Sequence, residues 1–302
     1  MDKNPLFSIV IPTYNHANFL KASLSSIIDQ SYENWEAIVI DNHSKDNTDD
    51  VVASFEDSRI CLEKINNHGV IATSRNRGIL KAKGEWISFL DSDDLWYSEK
   101  LMRVVNAIRE SNNRIQVFCN DEYMVFTDSS EKKLLQYGPY EDDFYSKLLL
   151  SGNRLSTSAV TVNKSFLANK ELLFNENPSF VTVEDYDFWL RLAKEQANFF
   201  FINQVLGEYT IHGKNQSASI EKHFKHHEHL IKHHVFNIQN FDTCKEKLWK
   251  KAKSKIQLDK ALLYLKEYKL RSATVGFFCS FWFAPSHFLK QLMHRLGKKI
   301  SS

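Results

Sequence analysis

The sequence predicts an α/β fold: a mixed, mainly parallel sheet with helices on both faces, plus a C-terminal helical appendage. Three observations lead to this prediction. Short apolar runs alternate with helical patterns through the first hundred residues, as in folds whose parallel strands are joined by helices. Polar clusters follow several of these apolar runs. After about residue 220 the sequence becomes helical, basic and rich in histidine.

Each element is predicted from the period of its apolar residues. In the first hundred residues, strands are predicted at 7–11 (ended by Pro12), 35–40, 60–65 and 86–90, and helices at 18–28, 51–55 and 74–82. Beyond residue 94 the alternation loosens, with helices predicted at 101–109, 144–150 and 187–194 and strands at 115–119, 159–162, 199–202 and 205–209.

The bulk composition is that of an ordinary globular protein. The chain has 302 residues, of which 43% are hydrophobic and 25% charged. We predict a main domain at 1–220, followed by a basic region at 221–302. The four cysteines form no CxxC pair, which favours reduced thiols, and no secretory signal is recognised at the start.

Charge is distributed unevenly along the chain. Residues 221–302 hold 17 Lys and Arg against 6 Asp and Glu, a net of +11, which leaves a net of −9 for the first 220 residues. A basic tail favours an anionic partner, either a membrane or a nucleic acid. The acidic body would repel nucleic acid, and no interleaved basic and aromatic platform is present, so we expect a membrane surface and no nucleic acid.

Three carboxylates, Asp91, Asp93 and Asp94, follow the predicted strand at 86–90. Ligands of open α/β sheets bind at the carboxyl ends of the strands. Clustered carboxylates repel one another unless they are solvated or share a cation, and oxygen ligands suit Mn²⁺ or Mg²⁺, which usually binds one or two carboxylates plus substrate phosphates. The alternative is a solvated acidic turn that caps the next helix.

Three further polar segments stand out, at 11–15, 41–48 and 184–189. The first two follow strands, so a parallel sheet would place them beside the carboxylates, although each could be only a strand stop or an Asx-rich turn. The third begins a predicted helix. Its acidic residues could simply favour the helix dipole, or one could serve as a general base.

Taken together, five motifs resemble family 2 glycosyltransferases of the GT-A fold. They are Ser-Ile-Val-Ile-Pro-Thr-Tyr-Asn at 8–15, Asp-Asn-His-Ser-Lys-Asp-Asn-Thr at 41–48, Ser-Arg-Asn-Arg-Gly-Ile at 74–79, Asp-Ser-Asp-Asp at 91–94 and Glu-Asp at 184–185. The resemblance covers about residues 7–217. It implies an inverting enzyme that uses a UDP-sugar donor, with a nucleotide-binding half at about 1–100 and an acceptor half at about 101–220.

The resemblance also assigns roles around the metal. It implies that Asp93 binds Mn²⁺ or Mg²⁺ at the diphosphate, with Asp91 on the ribose side, Ser92 beside the nucleotide sugar and Asp94 in support. Asp185 matches the catalytic base of the inverting enzymes.

Further positions match the nucleotide pocket. Pro12, Tyr14 and the pair Asp41 and Asn42 match the uracil and ribose pocket, although the family often has a second aspartate where this chain has Asn42. Arg75 is expected near the base or a phosphate.

Three structural roles and one closing motif complete the comparison. Asn76 and Gly78 are expected to seat their helix on the sheet, and Glu184 to support the base. In the segment 209–217, His212 could complete the metal shell or contact the diphosphate, with Lys214 adding charge, but a lone histidine after a strand is more often structural.

The tail carries two further patterns. Six histidines crowd one predicted helix at i,i+4 spacings compatible with zinc, but solvated helix faces also tolerate histidine. Residues 273–285 are apolar and aromatic yet too short to span a bilayer, and 288–300 form a basic amphipathic pattern. Their aromatic residues could form an interfacial anchor or pack on the core as a helical hairpin.

These observations predict a peripheral glycosyltransferase on the cytoplasmic face of the membrane. We expect a hexose to pass from a UDP-sugar to a lipid-linked saccharide on a polyprenyl diphosphate, in O-antigen or capsule assembly. Two alternatives are a metal-dependent nucleotidyltransferase, which would normally carry a basic, glycine-rich loop after the first strand, and a non-catalytic sugar-nucleotide-binding scaffold.

Overall fold

The computed structural model describes residues 4–111, 114–212, 219–241 and 243–300, and the predicted role of Lys214 falls outside them. The described residues form two compact units. The first lies within 4–142, 154–178 and 184–212, and the second within 143–153, 179–183 and 219–300.

A single mixed sheet runs through the first unit. Its strands in the described residues are β1 (Phe7–Thr13), β2 (Trp35–Asp41), β3 (Ile60–Lys64), β4 (Trp86–Phe89), β5 (Leu95–Trp96), β6 (Val117–Phe126), β7 (Lys132–Leu135), β8 (Val160–Asn163) and β9 (Phe199–Ile211). They lie in the order β3-β2-β1-β4-β8-β6-β9-β5, and β7 pairs with β6. The first four positions of this order are parallel, as predicted, whereas β8 and β5 run antiparallel to their neighbours.

Helices occur in both units. The first unit contains α1 (Ala17–Ile28), α2 (Thr48–Ala53), α3 (Ile71–Lys81), α4 (Lys100–Glu110), α6 (Lys164–Asn169) and α7 (Glu184–Lys194). The second contains α5 (Phe144–Ser151), α8 (Ile220–His233), α9 (Lys245–Lys266), α10 (Leu270–Phe283) and α11 (Pro285–Ile300), and a π-helical turn at His234–Ile238 continues α8.

Side chains alternate between the two faces of a strand, so the contacts of β1 show which helices lie on each face of the sheet. The odd-numbered β1 residues Phe7, Ile9 and Ile11 share one buried cluster with apolar residues of α1 and α4. Val10 points to the other face, where a Cβ built on Gly78 of α3 would lie 2.3 Å from Val10 Cγ1. The absence of a side chain at Gly78 therefore lets α3 lie directly on β1, as expected for this glycine.

Several elements differ from the sequence prediction. Strand β1 does not stop at Pro12 but continues to Thr13, with Pro12 in register with Ile40 of β2. The two strands predicted at 199–202 and 205–209 are one strand, β9, whose pairing with β6 shifts at bulges opposite Asn120 and Asp121. The short elements β5, β7 and α6 were not predicted.

The second unit holds the histidine-rich helix α8 against the segment 179–183. Phe180 is 3% exposed and lies edge-on to His229 at 5.4 Å between ring centroids. His226 Nδ1 lies 2.5 Å from the carbonyl oxygen of Val181, and His223 Nδ1 lies 3.3 Å from Thr182 Oγ1. The alternative of a solvated histidine face therefore does not hold for His223 and His226, whereas His229 is exposed.

Helices α9 and α10 of the second unit approach closely through small residues. A Cβ on Gly276 would lie 2.8 Å from Ala261 Cβ, and Ser254 Oγ donates to the Ser280 carbonyl oxygen at 2.8 Å. On α9, Leu248, Ala252 and Ile256 are buried, whereas Leu262 is half-buried and Leu265 is exposed. In the part of the chain that is described, no helix is both long and apolar enough to cross a membrane.

Candidate functional site

The carboxyl end of β4 delivers the acidic cluster. Asp91 accepts a hydrogen bond from Arg75 at 2.7 Å, while its N–H donates to Ser158 Oγ at 3.0 Å. Asp93 and Asp91 remain partly exposed, with 15% and 25% of their side chains accessible, whereas Asp94 is buried. The first two carboxylates are therefore the ones a ligand could reach.

Asp94 is buried behind this surface, and both of its carboxylate oxygens accept hydrogen bonds from other residues of the protein. Its Oδ2 accepts from Ser158 Oγ at 2.5 Å and its Oδ1 from the Thr210 N–H at 2.8 Å. Burial raises the pKa of Asp94 well above its usual value, and the carboxylates of Asp93 and Glu122 raise it further. These contacts fix the turn that carries Asp93.

A buried cation lies beside this carboxylate. Lys100, at the start of α4, donates to Asn120 Oδ1 and to the Ser158 carbonyl oxygen, both at 2.7 Å. Its Nζ lies 4.5 Å from the centre of the Trp96 ring. Burial lowers the pKa of Lys100 to about 8, although the charges of Glu122 and Asp94 oppose the shift. This lysine was not predicted, because a lysine at a helix start is usually solvated.

The segments after β1 and β2 are joined by their own side chains. Asn15, in the left-handed region at φ 52°, accepts from the Lys45 N–H at 2.8 Å and donates its own N–H to Ser44 Oγ at 2.8 Å. Asp41, fully buried, accepts from the Ser44 N–H at 3.1 Å. Asp46 accepts from the Ala17 N–H at 3.0 Å. The two segments expected to form a nucleotide pocket therefore make one rigid edge.

Within that edge, the predicted pocket residues differ in accessibility. Pro12 is buried, whereas Tyr14 is 48% exposed and offers its ring to solvent. Asn42 Oδ1 already accepts from the Asn67 N–H at 2.9 Å, and Asn67 in turn donates to Ser74 Oγ at 2.9 Å. Asn67 was not predicted, and the contact means that Asn42 orders the segment after β3.

His212, just after β9, points at the acidic cluster. Its Nε2 lies 2.8 Å from Asp93 Oδ2, and its ring stacks on Phe19 at 4.7 Å between centroids. The His16 ring lies 5.6 Å from the same histidine, and His16 Nδ1 lies 3.1 Å from Ser92 Oγ. The start of α1 therefore positions both Ser92 and the closing histidine, a contribution of His16 and Phe19 that was not predicted.

Arg75 connects β4 to α7. It is 3% exposed, and its Nη2 and Nη1 lie 2.7 Å from Asp91 Oδ1 and from Glu184 Oε1. Burial alone would lower the pKa of Arg75, but the two carboxylates outweigh it and hold this pKa above its usual value. Asn76, next in the chain, donates to the Phe174 carbonyl oxygen at 2.9 Å and to Glu176 at 2.7 Å. Helix α3 thus fixes the segment 174–176 as well as α7.

Asp185 stands in the first turn of α7, half-buried. Burial, assisted by the negative charge of Glu184, raises its pKa to about 7, while Arg75 opposes the shift. A carboxylate whose pKa lies near neutrality is suited to accept a proton at physiological pH.

Tyr209 of β9 lies close enough to several acidic residues for their charges to affect its hydroxyl. Burial raises the pKa of its hydroxyl, and the carboxylates of Asp94, Asp91, Asp93 and Asp185 add to the effect. These four carboxylates therefore lie within electrostatic reach of Tyr209, and Arg75 links Asp91 at the end of β4 to Glu184, the residue before Asp185.

The donor set fits a hard divalent cation only in part. Asp93 and His212 supply two ligand atoms 2.8 Å apart, with Asp91 beside them. Among the described residues, no group of three or more His, Cys, Asp or Glu side chains is arranged to hold a metal ion. Mn²⁺ or Mg²⁺ usually binds one or two carboxylates and completes its shell with phosphate oxygens and water, so this donor set fits a metal that arrives with a diphosphate.

Comparison with known proteins decides the family. The profile described as Glycosyl transferase family 2 matches residues 8–168, more than half of the chain. The chain belongs to glycosyl transferase family 2.

Relatives with assigned names extend the comparison. An uncharacterized glycosyltransferase of Rickettsia typhi is 31% identical over 69% of this chain, and the chain spans 65% of its length. The Escherichia coli protein WfgD, named UDP-Glc:alpha-D-GlcNAc-diphosphoundecaprenol beta-1,3-glucosyltransferase, is 33% identical over 63% of this chain and 70% of its own length.

Solved structures confirm the predicted fold. Residues 1–349 of S. aureus TarS, in complex with UDP-GlcNAc, match with a TM-score of 0.64 at 17% identity, covering 89% of this chain and 90% of that one. The mannosyltransferase PcManGT from Pyrobaculum calidifontis, in complex with GDP-Man and Mn²⁺, matches with a TM-score of 0.59 at 17% identity, covering 97% and 80%. The first unit has the GT-A arrangement, and helices follow it.

Proposed function

We propose that this protein is an inverting, metal-dependent glycosyltransferase. It would move a hexose, glucose or galactose, from a UDP-sugar to a hydroxyl of a saccharide linked to polyprenyl diphosphate, in the assembly of O-antigen or another surface polysaccharide. The observation that carries the proposal is the convergence of Asp91, Asp93 and Asp185, with Arg75 joining β4 to the helix of the base. Family membership and the names of WfgD and TarS support the donor and acceptor classes.

The donor would bind along the edge formed by the segments after β1, β2 and β4. The exposed ring of Tyr14 offers a stacking surface for uracil, and buried Pro12 and Asp41 fix the wall behind it. Asp91 would take the ribose side, with its carboxylate held in place by Arg75.

Asp93, with His212 at 2.8 Å, would hold Mn²⁺ or Mg²⁺ at the donor diphosphate. When bound, the ion would supply positive charge that stabilises the departing diphosphate. The residues around it keep this part of the site rigid: Phe19 stacks on His212, and Ser92 lies against His16. For His212 to bind the ion, its Nε2 must exchange the contact with Asp93 for the metal.

Asp185 would act as the general base. It takes the proton of the acceptor hydroxyl while that oxygen forms a bond to the anomeric carbon. The bond from the anomeric carbon to the diphosphate breaks, and UDP leaves with the electron pair. One displacement inverts the configuration, so no covalent sugar–enzyme intermediate is needed.

We also propose that the enzyme works as a peripheral protein on the cytoplasmic face of the membrane. A lipid-linked acceptor stays in the bilayer, so an enzyme that meets it repeatedly gains from residing at the surface. The excess of basic residues in 221–302 favours anionic lipid headgroups.

A donor-turnover screen tests the proposal. Purified protein is incubated with UDP-, GDP- and TDP-sugars and lipid-linked acceptors, with Mn²⁺ or with EDTA, and nucleotide release is measured. We expect UDP release that requires metal and falls by about 10²-fold or more in Asp93→Ala and Asp185→Asn. Asp50→Asn, exposed on α2, is the matched control and should keep full activity.

Two results would contradict the proposal. Pyrophosphate as product would indicate a nucleotidyltransferase. Tight UDP binding without turnover, even with lipid-linked acceptors, would indicate a non-catalytic scaffold.

A further inference from the structure

The exposed apolar side chains of this protein are concentrated in one part of the second unit. Among the described residues, large hydrophobic side chains that are exposed number fifteen, and ten of them lie between Leu263 and Met293. The other five are scattered over the first unit, at Tyr14, Leu80, Leu134, Tyr140 and Phe200. A concentration of this kind marks an interaction surface, whereas single exposed apolar residues do not.

Helix α10 presents two different faces. Its buried face consists of small residues, Ala273, Gly276 and Ser280, which bring it close to α9. The opposite face consists of Val275, Phe278, Phe281 and Trp282, which are 58%, 66%, 45% and 73% exposed, and is called the aromatic face below. The four residues of the aromatic face are therefore not the ones that pack α10 against α9, since the small residues make that contact.

Neighbouring side chains extend and order the aromatic face. Phe278 and Trp282 stack at 6.2 Å between ring centroids, and Phe281 meets Phe288 of α11 edge-on at 5.8 Å. Leu289 and Met293 of α11 add exposed apolar surface, at 50% and 71%. Arg295 pairs with Asp259 of α9, which ties α11 to the same helix that carries α10.

The charge around this face is predominantly positive, although Lys269 Nζ lies 2.6 Å from Glu267 Oε2, just before α10. Residues 268–302 contain six Lys and Arg residues, at 269, 271, 290, 295, 298 and 299, and no Asp or Glu. Lys269 and Arg271 begin α10, Lys290 lies on α11, and all three are exposed. An anionic surface would be attracted to such a face, whereas a second copy of this chain would bring like charges together at a symmetric contact.

We infer that the aromatic face is a lipid-binding surface that inserts into the headgroup region of an anionic bilayer, with Lys269, Arg271 and Lys290 on phosphate groups. Aromatic side chains favour this depth, and a helix lying in the membrane plane needs one apolar face rather than a long apolar span. The inference deepens the proposed function and rests on it in one respect, since a lipid-linked acceptor gives the surface its purpose.

Vesicle flotation of the full chain tests the inference, with vesicles of phosphatidylcholine alone or containing phosphatidylglycerol. We expect binding to the anionic vesicles that weakens with salt. Phe278→Ser combined with Trp282→Ser should weaken it about tenfold or more. Lys269→Gln, Arg271→Gln and Lys290→Gln together should weaken binding to anionic vesicles about a hundredfold and leave binding to neutral vesicles unchanged.

Matched controls lie in the first unit. Leu80→Ser removes an exposed apolar side chain, and Lys21→Gln, Lys83→Gln and Lys170→Gln together remove three exposed positive charges. Both variants should bind vesicles like the wild type. Circular dichroism and UDP release without vesicles should be unchanged in the aromatic variant, which separates a lost surface from a lost fold.

Three outcomes would overturn the inference: no vesicle binding by the wild type at low salt, equal binding by the aromatic variant, or a wild-type dimer in lipid-free solution that the aromatic variant dissociates. The last outcome would assign the face to a second copy. Vesicle binding that depends on Phe278 and Trp282, in a protein that releases UDP from no donor, would leave the surface standing and reject the proposed function.

Discussion

Nη1 of Arg75 lies 2.7 Å from Oε1 of Glu184, and the second terminal nitrogen of the same guanidinium lies 2.7 Å from Asp91. One buried cation therefore fixes the carboxylate expected at the ribose and the first turn of the helix that carries Asp185. Among the described residues, Glu184 Oε2 and Arg75 Nε are buried and have no hydrogen-bond partner. The polar atoms of the bridge are thus not all satisfied by the described part of the protein.

Replacing Arg75 tests this bridge. Arg75→Met should lower the free energy of unfolding by about 3–5 kcal/mol, because two carboxylates lose their buried cation. It should also move the pKa of Asp185 upward, since the positive charge of Arg75, together with the Tyr186 N–H, opposes the rise. Urea unfolding and a pH–rate profile measure the two effects. Arg77→Met, on the same helix and 47% exposed, should cost less than about 1 kcal/mol, and equal losses in the two variants would contradict the bridge.

The pH dependence of turnover tests the base. The pKa of Asp185 is raised to about 7, so below pH 7 the carboxyl is mostly protonated and cannot accept the acceptor proton. The rate kcat/KM, measured at constant free metal, should rise about tenfold per pH unit below 7 and level off near pH 8. A rate that stays flat from pH 5 to 8 would exclude Asp185 as the group that must ionise.

The sequence was most informative where strands are buried and end in polar residues. The runs at 35–40 and 86–90 lie within one residue of β2 and β4, because a buried parallel strand has few polar positions and a sharp end. Elements β5 and β7 gave no such pattern, since two or four residues on the outer part of the sheet carry no period of their own. The polar pair Asn203 and Gln204 interrupted the apolar pattern of β9, and a bulge accommodates it.

The close contact between α3 and β1 gives a packing prediction. Gly78→Ala should destabilise the protein by about 1–3 kcal/mol, because its Cβ would lie 2.3 Å from Val10 Cγ1. In the double variant with Val10→Ala, part of this loss should be recovered, since the space taken by the new methyl is vacated. Thermal unfolding of the four proteins of this cycle gives the coupling. Strictly additive losses would show that the contact is not what makes Gly78 necessary.

The lowered pKa of Lys100 predicts an unusual dependence of folding stability on pH in the alkaline range. Burial lowers its pKa to about 8, so between pH 8 and about 10.5 the unfolded chain binds more protons at this residue than the folded one. Stability should therefore rise with pH in this window by up to about 1.4 kcal/mol per unit, relative to Lys100→Met. Guanidinium unfolding at pH 8, 9 and 10 measures the difference. Lys21→Met, at an exposed position, should show none, and a flat difference for Lys100 would disprove the lowered pKa.

The same lysine shows what a single sequence could not reveal. Asp91 and Asp93 could be predicted as site residues from the sequence, because acidic residues directly after an apolar strand are unusual. The chemistry of a carboxylate also follows from the residue type alone. Lys100, His16 and Phe19 act through burial and ring contacts that only the folded chain creates. The sequence alone does not indicate that a lysine at the start of a helix is buried.

Phe180 tests the packing of the segment that leads into α7. Phe180→Ala should cost about 3–5 kcal/mol, because the ring is buried against the histidines of α8. Phe200→Ala, at 39% exposed, should cost far less, and similar values would argue against the packing.

A truncation after residue 219 should likewise destabilise residues 179–183. Substitutions on α10 are therefore the better test of membrane binding.

The extra residues at the bulges of β9 determine where the last residues of this strand lie relative to the acidic cluster. Asn120 pairs with Ile202, but Asp121 pairs with Val205 and Tyr123 with Glu208, so β9 is longer than β6 across the bulges. This added length places the Thr210 N–H on Asp94 and brings His212 to Asp93. Deleting one bulge residue would turn the His212 side chain to the opposite face of the sheet and the Thr210 N–H to the opposite edge of the strand. A shortened chain could keep every reactive side chain and still fail to assemble its centre, so the count of residues here matters as much as their chemistry.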